Sequence, residues 1–320
     1  MERRKASDFP RGLLDLFHEY QHGHVGRRSF LNAAGTFAAG ALTTGAIFEM
    51  MPPNYAWAQQ VMKVTHPASA RVLDRLRTRF TFQISVDVAT LEQGLGVARA
   101  ALAGGVTIVE MGTPLLKNQG VSNVVPAFRR KFPEALLLAD MKTMDGGGFE
   151  ARAVYAGGGN IIDFLALAGV DTAKAICAVR DEFRRTDPEL PRLVFADIMV
   201  PHQGPAAQAV EVALRMLDAG VDVIGIHLQA DARRADPKLM EGDYLGSVAR
   251  AIFERVGSAA PVQVVGGLSV AQAKSLANAG LRALVISGNL GQPDGRPRYD
   301  LPPDQIQRYV ADFIAEVSKP

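Results

Sequence analysis

Cysteine is almost missing from this chain: Cys177 is the single one among 320 residues. That excludes a disulfide framework and any zinc cluster built on thiolates. Cys177 lies inside a helical pattern, "TAKAICAVRDEF", and reads as a buried structural thiol. An excess of either charge is missing too. Lys and Arg number 35 against 33 Asp and Glu, a net charge of +2, and the basic residues are scattered rather than striped. Such a surface offers no electrostatic footprint for nucleic acid. Nor is there a long, strongly hydrophobic run. Residues 31–48 are rich in Ala and Gly and are ended by Glu49, which is marginal for a permanent membrane span. What the chain does have is apolar bulk, 48% of its residues, enough to bury the core of one large domain or two smaller ones.

The first 60 residues form a separate object. Arg27–Arg28 precede Phe30–Leu31, the weakly apolar run follows, and Ala56–Trp57–Ala58 gives a small-x-small pattern before Gln59. Together these read as a twin-arginine export signal with a cleavage site. The segment resembles the leader of some bacterial dienelactone hydrolases in "HGHVGRRSFL" and "PNYAWAQQV", although none of that enzyme's catalytic body follows. The alternative is a retained helical extension. "GLLDLFHEY", residues 12–20, has the pattern of a short amphipathic helix, and Glu2, Asp8, Asp15 and Glu19 are unusual ahead of an export signal. The expected organisation is a leader over 1–60, a linker over 61–79 and a barrel over 80–318. A working leader places the protein in the periplasm and an idle one leaves it in the cytoplasm.

From residue 80 onward a single rhythm recurs: a short β-branched or aliphatic run, a polar residue, then a helical stretch. The runs are "FTFQISVD", "VTIVEMG", "ALLLADMK", "NIIDFLALAG", "RLVFADIM", "VDVIGIH", "PVQVVGG" and "RALVISG". Eight strands alternating with helices predict a (β/α)8 TIM barrel, whose active site lies at the C-terminal strand ends. A doubly wound open sheet is the alternative, but no G-x-G-x-x-G turn follows the first run.

This pattern sends Asp87, Glu110, Asp140, Lys142, Asp197, His227, Gly266–Gly267 and Ser287–Gly288 to the mouth of the barrel. Taken singly, Asp87 and Asp197 are explained as helix caps and His227 as a structural histidine. A whole ring of such groups is harder to explain that way, and Asp197 is placed with the substrate-binding residues. Asp140 and Lys142 lie two apart on one strand and project to one side, with Asp145 in the turn beyond. Glu110 on the neighbouring strand can meet Asp140, and two such carboxylates, with water and substrate oxygens, suit an octahedral Mg²⁺. Glycines after the seventh and eighth strands sit where this fold commonly binds phosphate.

Asp140-x-Lys142-x-x-Asp145 at the end of the third strand resembles the mark of the orotidine monophosphate decarboxylase superfamily. "VEMGTPLLKNQGV", "ADMKTMDGGGFEARAVYAGG" and "FLALAGVDTAKAI" resemble, more narrowly, hexulose-6-phosphate synthase and 3-keto-gulonate-6-phosphate decarboxylase. The resemblance covers roughly residues 80–292. It implies that Glu110 and Asp140 hold Mg²⁺, Asp87 orients substrate hydroxyls and Lys142 complements the charge of a 1,2-enediolate. It implies further that His227 shuttles protons and that Gly266, Gly267, Gly288 and Asn289 bind the phosphate of a sugar phosphate. Asp145 would reach across the interface of a homodimer with shared active sites. The decarboxylases carry an Arg where this chain has Ala230 and another where it has Asn289, so both positions favour the synthase. Leu228 and Ser287 depart from the synthase pattern, and the loop over residues 291–305 has no assigned role. An exported protein would not meet ribulose 5-phosphate. A non-functional leader, a different substrate, or a non-catalytic anion-binding barrel would each resolve that conflict.

Overall fold

Alternation of side chains along the strands builds the body of the molecule. In the first strand, β1 (Thr81–Val86), Phe82, Ile84 and Val86 pack outward against the helices, while Thr81, Gln83 and Ser85 alternate onto the other face. Seven more strands follow: β2 (Ile108–Met111), β3 (Leu136–Thr143), β4 (Ile161–Leu165), β5 (Leu193–Val200), β6 (Val223–Leu228), β7 (Val262–Val265) and β8 (Ala283–Ile286). All pair in parallel, each with its neighbour in sequence, and β1 pairs β8, so the sheet closes into a barrel. Helices in the connections cover the outside. This computed structural model describes residues 10–21, 25, 27–37, 66–236, 238–241 and 243–319. The expected (β/α)8 fold is the observed one.

The chain divides into two units, Met1–Thr65 and His66–Pro320. In the first, helices Arg11–Gln21 and Arg27–Ala34 pack on each other, the former over the stretch expected to be an amphipathic helix, and Leu13, Phe30 and Ala34 are buried. Most of the apolar run and the Ala56–Trp57–Ala58 pattern lie outside the described residues. Among the described residues no helix is long and apolar enough to cross a membrane.

The expected linker over 61–79 is corrected from His66 onward. Helix Pro67–Thr78 belongs to the barrel unit. Proline in its first turn needs no N–H partner there, and His66 caps it, its Nδ1 accepting from the Ser69 amide at 3.2 Å. Its apolar side chains have a definite destination. Leu76, with Val72 and Leu73, packs on Ile108, Leu138, Ile161, Leu193, Phe195, Val223 and Ala283, the residues that fill the N-terminal half of the barrel. Ser69 fixes the helix to the start of β5: its hydroxyl donates to the Arg192 carbonyl at 3.0 Å and accepts from the Arg192 amide at 2.9 Å.

This plug makes a test. Leu76 is 2% exposed, so Leu76→Ala leaves a cavity and is expected to cost about 2–5 kcal/mol. Urea unfolding of the full chain measures it, and a loss under about 1 kcal/mol would contradict a plugging role.

Candidate active site

The register that gives the barrel an apolar floor also gives it a polar rim. Two residues beyond an inward apolar residue, the next inward side chain is charged. Ile108 is followed by Glu110 in β2, Leu138 by Asp140 in β3, Ile161 by Asp163 in β4 and Phe195 by Asp197 in β5. In β6 the position two beyond inward Val223 is Gly225, opposite Asp197, and the polar inward side chain, His227, comes one step later. Glu110, Asp140, Asp163 and Asp197 are each buried. Asp87, just past the end of β1, joins them. One oxygen each from Asp87, Glu110 and Asp140 lie within 4.8 Å of one another.

Local hydrogen bonds hold these acids in place. Gln263 donates to Gln83 at 2.9 Å, and Gln83 donates to Glu110 Oε2 at 2.5 Å, a chain of amides beneath the carboxylate. Ser85 Oγ lies 2.8 Å from Glu110 Oε1 and 2.9 Å from Asp87 Oδ2. A hydroxyl has one proton to give, so satisfying both contacts at once requires one carboxyl to donate in return. Burial, with Asp140 and Asp87 pressing in the same sense, pushes the Glu110 carboxyl well above the usual carboxylate range. Asp87, exposed at the rim, is raised by the partial loss of water around its carboxyl and then by Asp140.

Asp140 is the hinge of the cluster. Its Oδ2 accepts from Lys142 Nζ at 2.5 Å and lies 2.7 Å from Thr113 Oγ1, while its Oδ1 is buried without any hydrogen-bond partner. Lys142 does not reach Asp140 by regular alternation. The β3–β4 register slips between Asp140 and Thr143, and Lys142 takes a left-handed backbone with φ 47°. For a residue with a side chain that conformation costs of order 1–3 kcal/mol. Burial alone would lower the Lys142 pKa, but Asp140, Asp197, Glu110 and Asp163 outweigh it and raise the value. Opposite, His227 Nδ1 sits 2.8 Å from Asp197 Oδ2. Burial would raise Asp197, but His227 and Lys142 hold it low. Asp197 is thus occupied with His227 and does not cap a helix.

Asp163 is the residue that the sequence reading missed. It lies beside Asp140 in the register, its Oδ1 is buried and unpartnered, and burial followed by Asp197 and Asp140 raises it well above the usual range. The signal was present: Asp163 is the only charge in "NIIDFLALAG" and stands two residues after an inward isoleucine.

The remaining expected residues separate. Asp145 is exposed in the loop after β3, accepts from the Gly146 amide at 2.7 Å and takes no part in the cluster within this chain. Gly266 and Gly267 have φ of 141° and 70°, and Gly267 N donates to Ser287 Oγ at 3.3 Å. The Asn289 side-chain amide is committed within the protein, donating to the carbonyls of Gly267, Leu268 and Gln292. The loop over 291–305, which had no assigned role, is tied to the barrel. Arg298 N donates to Gly288 O at 2.9 Å, its guanidinium pairs with Asp294, and buried Tyr299 donates to the Ser85 carbonyl. Cys177 is buried, as expected, and its thiol is pushed up to about 12 by that burial.

A family model described as orotidine 5'-phosphate decarboxylase / HUMPS matches residues 81–289. The chain belongs to this family. A YqhI-like family model matches residues 1–40. The 3-hexulose-6-phosphate synthase of Mycobacterium gastri is 30% identical over 207 residues, 64% of this chain and 89% of its own length. That of Methylomonas aminofaciens is 30% identical over 48% of this chain and 66% of its own length, slightly under two thirds. Among solved structures, one of 3-hexulose-6-phosphate synthase is 25% identical with a TM-score of 0.56, covering 73% of this chain and 99% of that one. One of 3-keto-L-gulonate-6-phosphate decarboxylase from Vibrio cholerae shares the fold at 20% identity and a TM-score of 0.57, covering 76% of this chain and 100% of that one.

The raised acids make the metal-free protein sensitive to pH. Groups that bind a proton more tightly when folded stabilise fully below their unfolded pKa, here the ordinary values of 3.8 and 4.5, and lose that contribution as pH rises through the raised ones. Asp197, held low, acts in the opposite sense. In chelator, the melting temperature is expected to fall between about pH 5 and pH 8, and Asp163→Asn to flatten the fall. Calorimetry at fixed ionic strength measures this. A melting temperature that rises across the interval would count against the clustered, proton-holding acids.

Proposed function

We propose that this barrel is a Mg²⁺-dependent lyase working through a 1,2-enediolate of a sugar phosphate, as a 3-hexulose-6-phosphate synthase that joins formaldehyde to ribulose 5-phosphate. The observation that carries the reading is the oxygen cage of Asp87, Glu110 and Asp140, with Asp140 Oδ1 lacking a partner and the Lys142 ammonium 2.5 Å from Asp140 Oδ2. A buried carboxylate oxygen without a donor is costly, and an all-oxygen carboxylate set suits a hard divalent cation. The residues therefore fit Mg²⁺, with Asp87 added to the expected Glu110 and Asp140. When bound, the ion supplies positive charge against oxygens on which negative charge develops.

The rest of the chemistry falls to the chain. Ribulose 5-phosphate loses a proton from C1, the resulting enediolate carbon attacks formaldehyde, and the formaldehyde oxygen takes up a proton. One carbon–carbon bond forms and no group leaves. Lys142 places its ammonium beside the developing oxyanion and is kept charged by the acids around it. With His227 Nδ1 engaged by Asp197, Nε2 is the ring nitrogen free to take the C1 proton and return one to the new alkoxide. Asp197 steadies the imidazolium that forms between those steps. The decarboxylase of a 3-keto sugar acid 6-phosphate and the exported binding barrel are the other readings. The Ala230 and Asn289 departures favour the synthase over the former.

The partner we propose is a second copy of the chain. Met144 is 50% exposed, Phe149 83% and Leu167 47%. They belong to the loop after β3, the helix Gly147–Ala156 and the turn after β4, the same end of the barrel as Asp145. Exposed apolar side chains grouped beside a functional mouth suit an interface.

Three experiments follow. Asp140→Ala and Lys142→Met are each expected to lower kcat/KM for ribulose 5-phosphate with formaldehyde by at least about 10²–10³. Wild-type rates in either variant, or CO₂ release from a keto-sugar acid phosphate with no formaldehyde uptake, would overturn the synthase reading. Phe149→Glu is expected to convert dimer to monomer in sedimentation at micromolar concentration. Mixing Asp145→Ala with Lys142→Met chains should restore a part of the activity. No gain on mixing would show that the sites are not shared.

A further inference from the structure

Against the glycine pair after β7 lies a guanidinium that the mechanism above leaves unused. Arg233 lies in the short helix Ala230–Ala235 that follows β6. Its Nη1 donates to the Gly266 carbonyl at 2.8 Å. A Cβ on Gly267 would run into this guanidinium, and one on Gly266 would lie 2.7 Å from Leu228 Cβ. The two glycines therefore do more than bare their amides: they make room for Leu228 and Arg233. Leu228, a departure from the synthase pattern, packs where Gly266 leaves space, and Arg233 rests over Gly267.

The surroundings of Arg233 make it unusual. It is half-buried, yet no carboxylate pairs with it among the described residues, and one hydrogen bond engages a group with five donors. Burial and neighbouring Arg234 both lower its pKa, so the charge is held in place without a counter-ion. By contrast, Arg298 beside the same loops is neutralised by Asp294. Ser287, the second departure, flanks the other side of the glycine pair. Its Oγ accepts from Gly267 N at 3.3 Å, which leaves its own proton to donate. Asn289, where an arginine would otherwise stand, is committed to carbonyls. A planar, unpaired guanidinium over a glycine turn, with a hydroxyl opposite, is a fork for a dianionic oxygen group.

We propose that Arg233 is the charged arm of the anion subsite and the residue that makes the chain prefer a phosphorylated over an unphosphorylated sugar. This inference rests on the sugar-phosphate reading above. It places the phosphate's positive partner in the short helix after the sixth strand and gives Leu228 and Ser287 a shared purpose.

The test has two arms on the full-length chain. In the first, inorganic phosphate is titrated calorimetrically into wild type, Arg233→Ala and Arg233→Lys. Wild type should bind, Arg233→Ala should bind roughly tenfold to a hundredfold more weakly, and Arg233→Lys should fall between, with melting temperatures unchanged. In the second, KM for ribulose 5-phosphate should rise by a similar factor in Arg233→Ala, with kcat within about threefold of wild type. Equal phosphate affinity in wild type and Arg233→Ala, or no phosphate binding by wild type, would overturn the proposal. If wild type binds phosphate through Arg233 but turns over no ribulose 5-phosphate, the anion arm stands and the synthase reading falls.

Discussion

Everything at the mouth of this barrel depends on a single ammonium among too many carboxyls. Lys142 faces Asp140, Asp197, Glu110 and Asp163, and its charge is held by them. Five acids surround one lysine and one histidine, so a metal-free site at neutral pH carries more negative potential than a buried pocket readily tolerates. Protons taken up by Asp87, Glu110 and Asp163 are one relief and a cation is the other. The barrel accepts backbone strain at Lys142, with φ 47° inside a strand, to bring that ammonium onto Asp140. Strain of this kind persists only where the surrounding structure over-determines it.

The fold makes such crowding tolerable by separating the two ends of the barrel. Toward the N-terminal end, inward residues are aliphatic and are sealed by Leu76 from the helix ahead of β1. Toward the C-terminal end, the same inward face becomes amide, hydroxyl and carboxyl. The Gln263–Gln83–Glu110 chain marks the boundary between them. At the rim, the loop after β8 folds back so that Tyr299 reaches the Ser85 carbonyl, directly beneath the serine that bridges Asp87 and Glu110. Tyr299, kept well above its usual pKa by burial and by those two acids, contributes a neutral donor there.

Much of this was legible from residue spacing. Period-two runs ending in polar residues marked out eight strands, and the order of strands required nothing more than neighbour-to-neighbour pairing. Glu110, Asp140, Lys142 and His227 were legible because strand ends in a barrel converge. Three things were not. Asp163 was hidden because a lone acid inside an apolar run reads as an interruption until the register shows its neighbours on both sides. Helix Pro67–Thr78 has an evident apolar face, but sequence does not tell which surface receives it. Asn289 stands where a ligand was expected, yet its amide meets carbonyls of the loop after β7 as well as one in its own loop, an arrangement that composition cannot reveal.

The most direct test of the central claim is a count of bound ions. Mn²⁺, standing in for Mg²⁺, is titrated into the purified full chain at neutral pH, and the free ion is followed by electron paramagnetic resonance. One ion per chain in wild type, lost in Asp140→Asn and retained in Asp145→Asn, is the outcome this account requires. No bound ion in wild type, or one that survives Asp140→Asn unchanged, would contradict it.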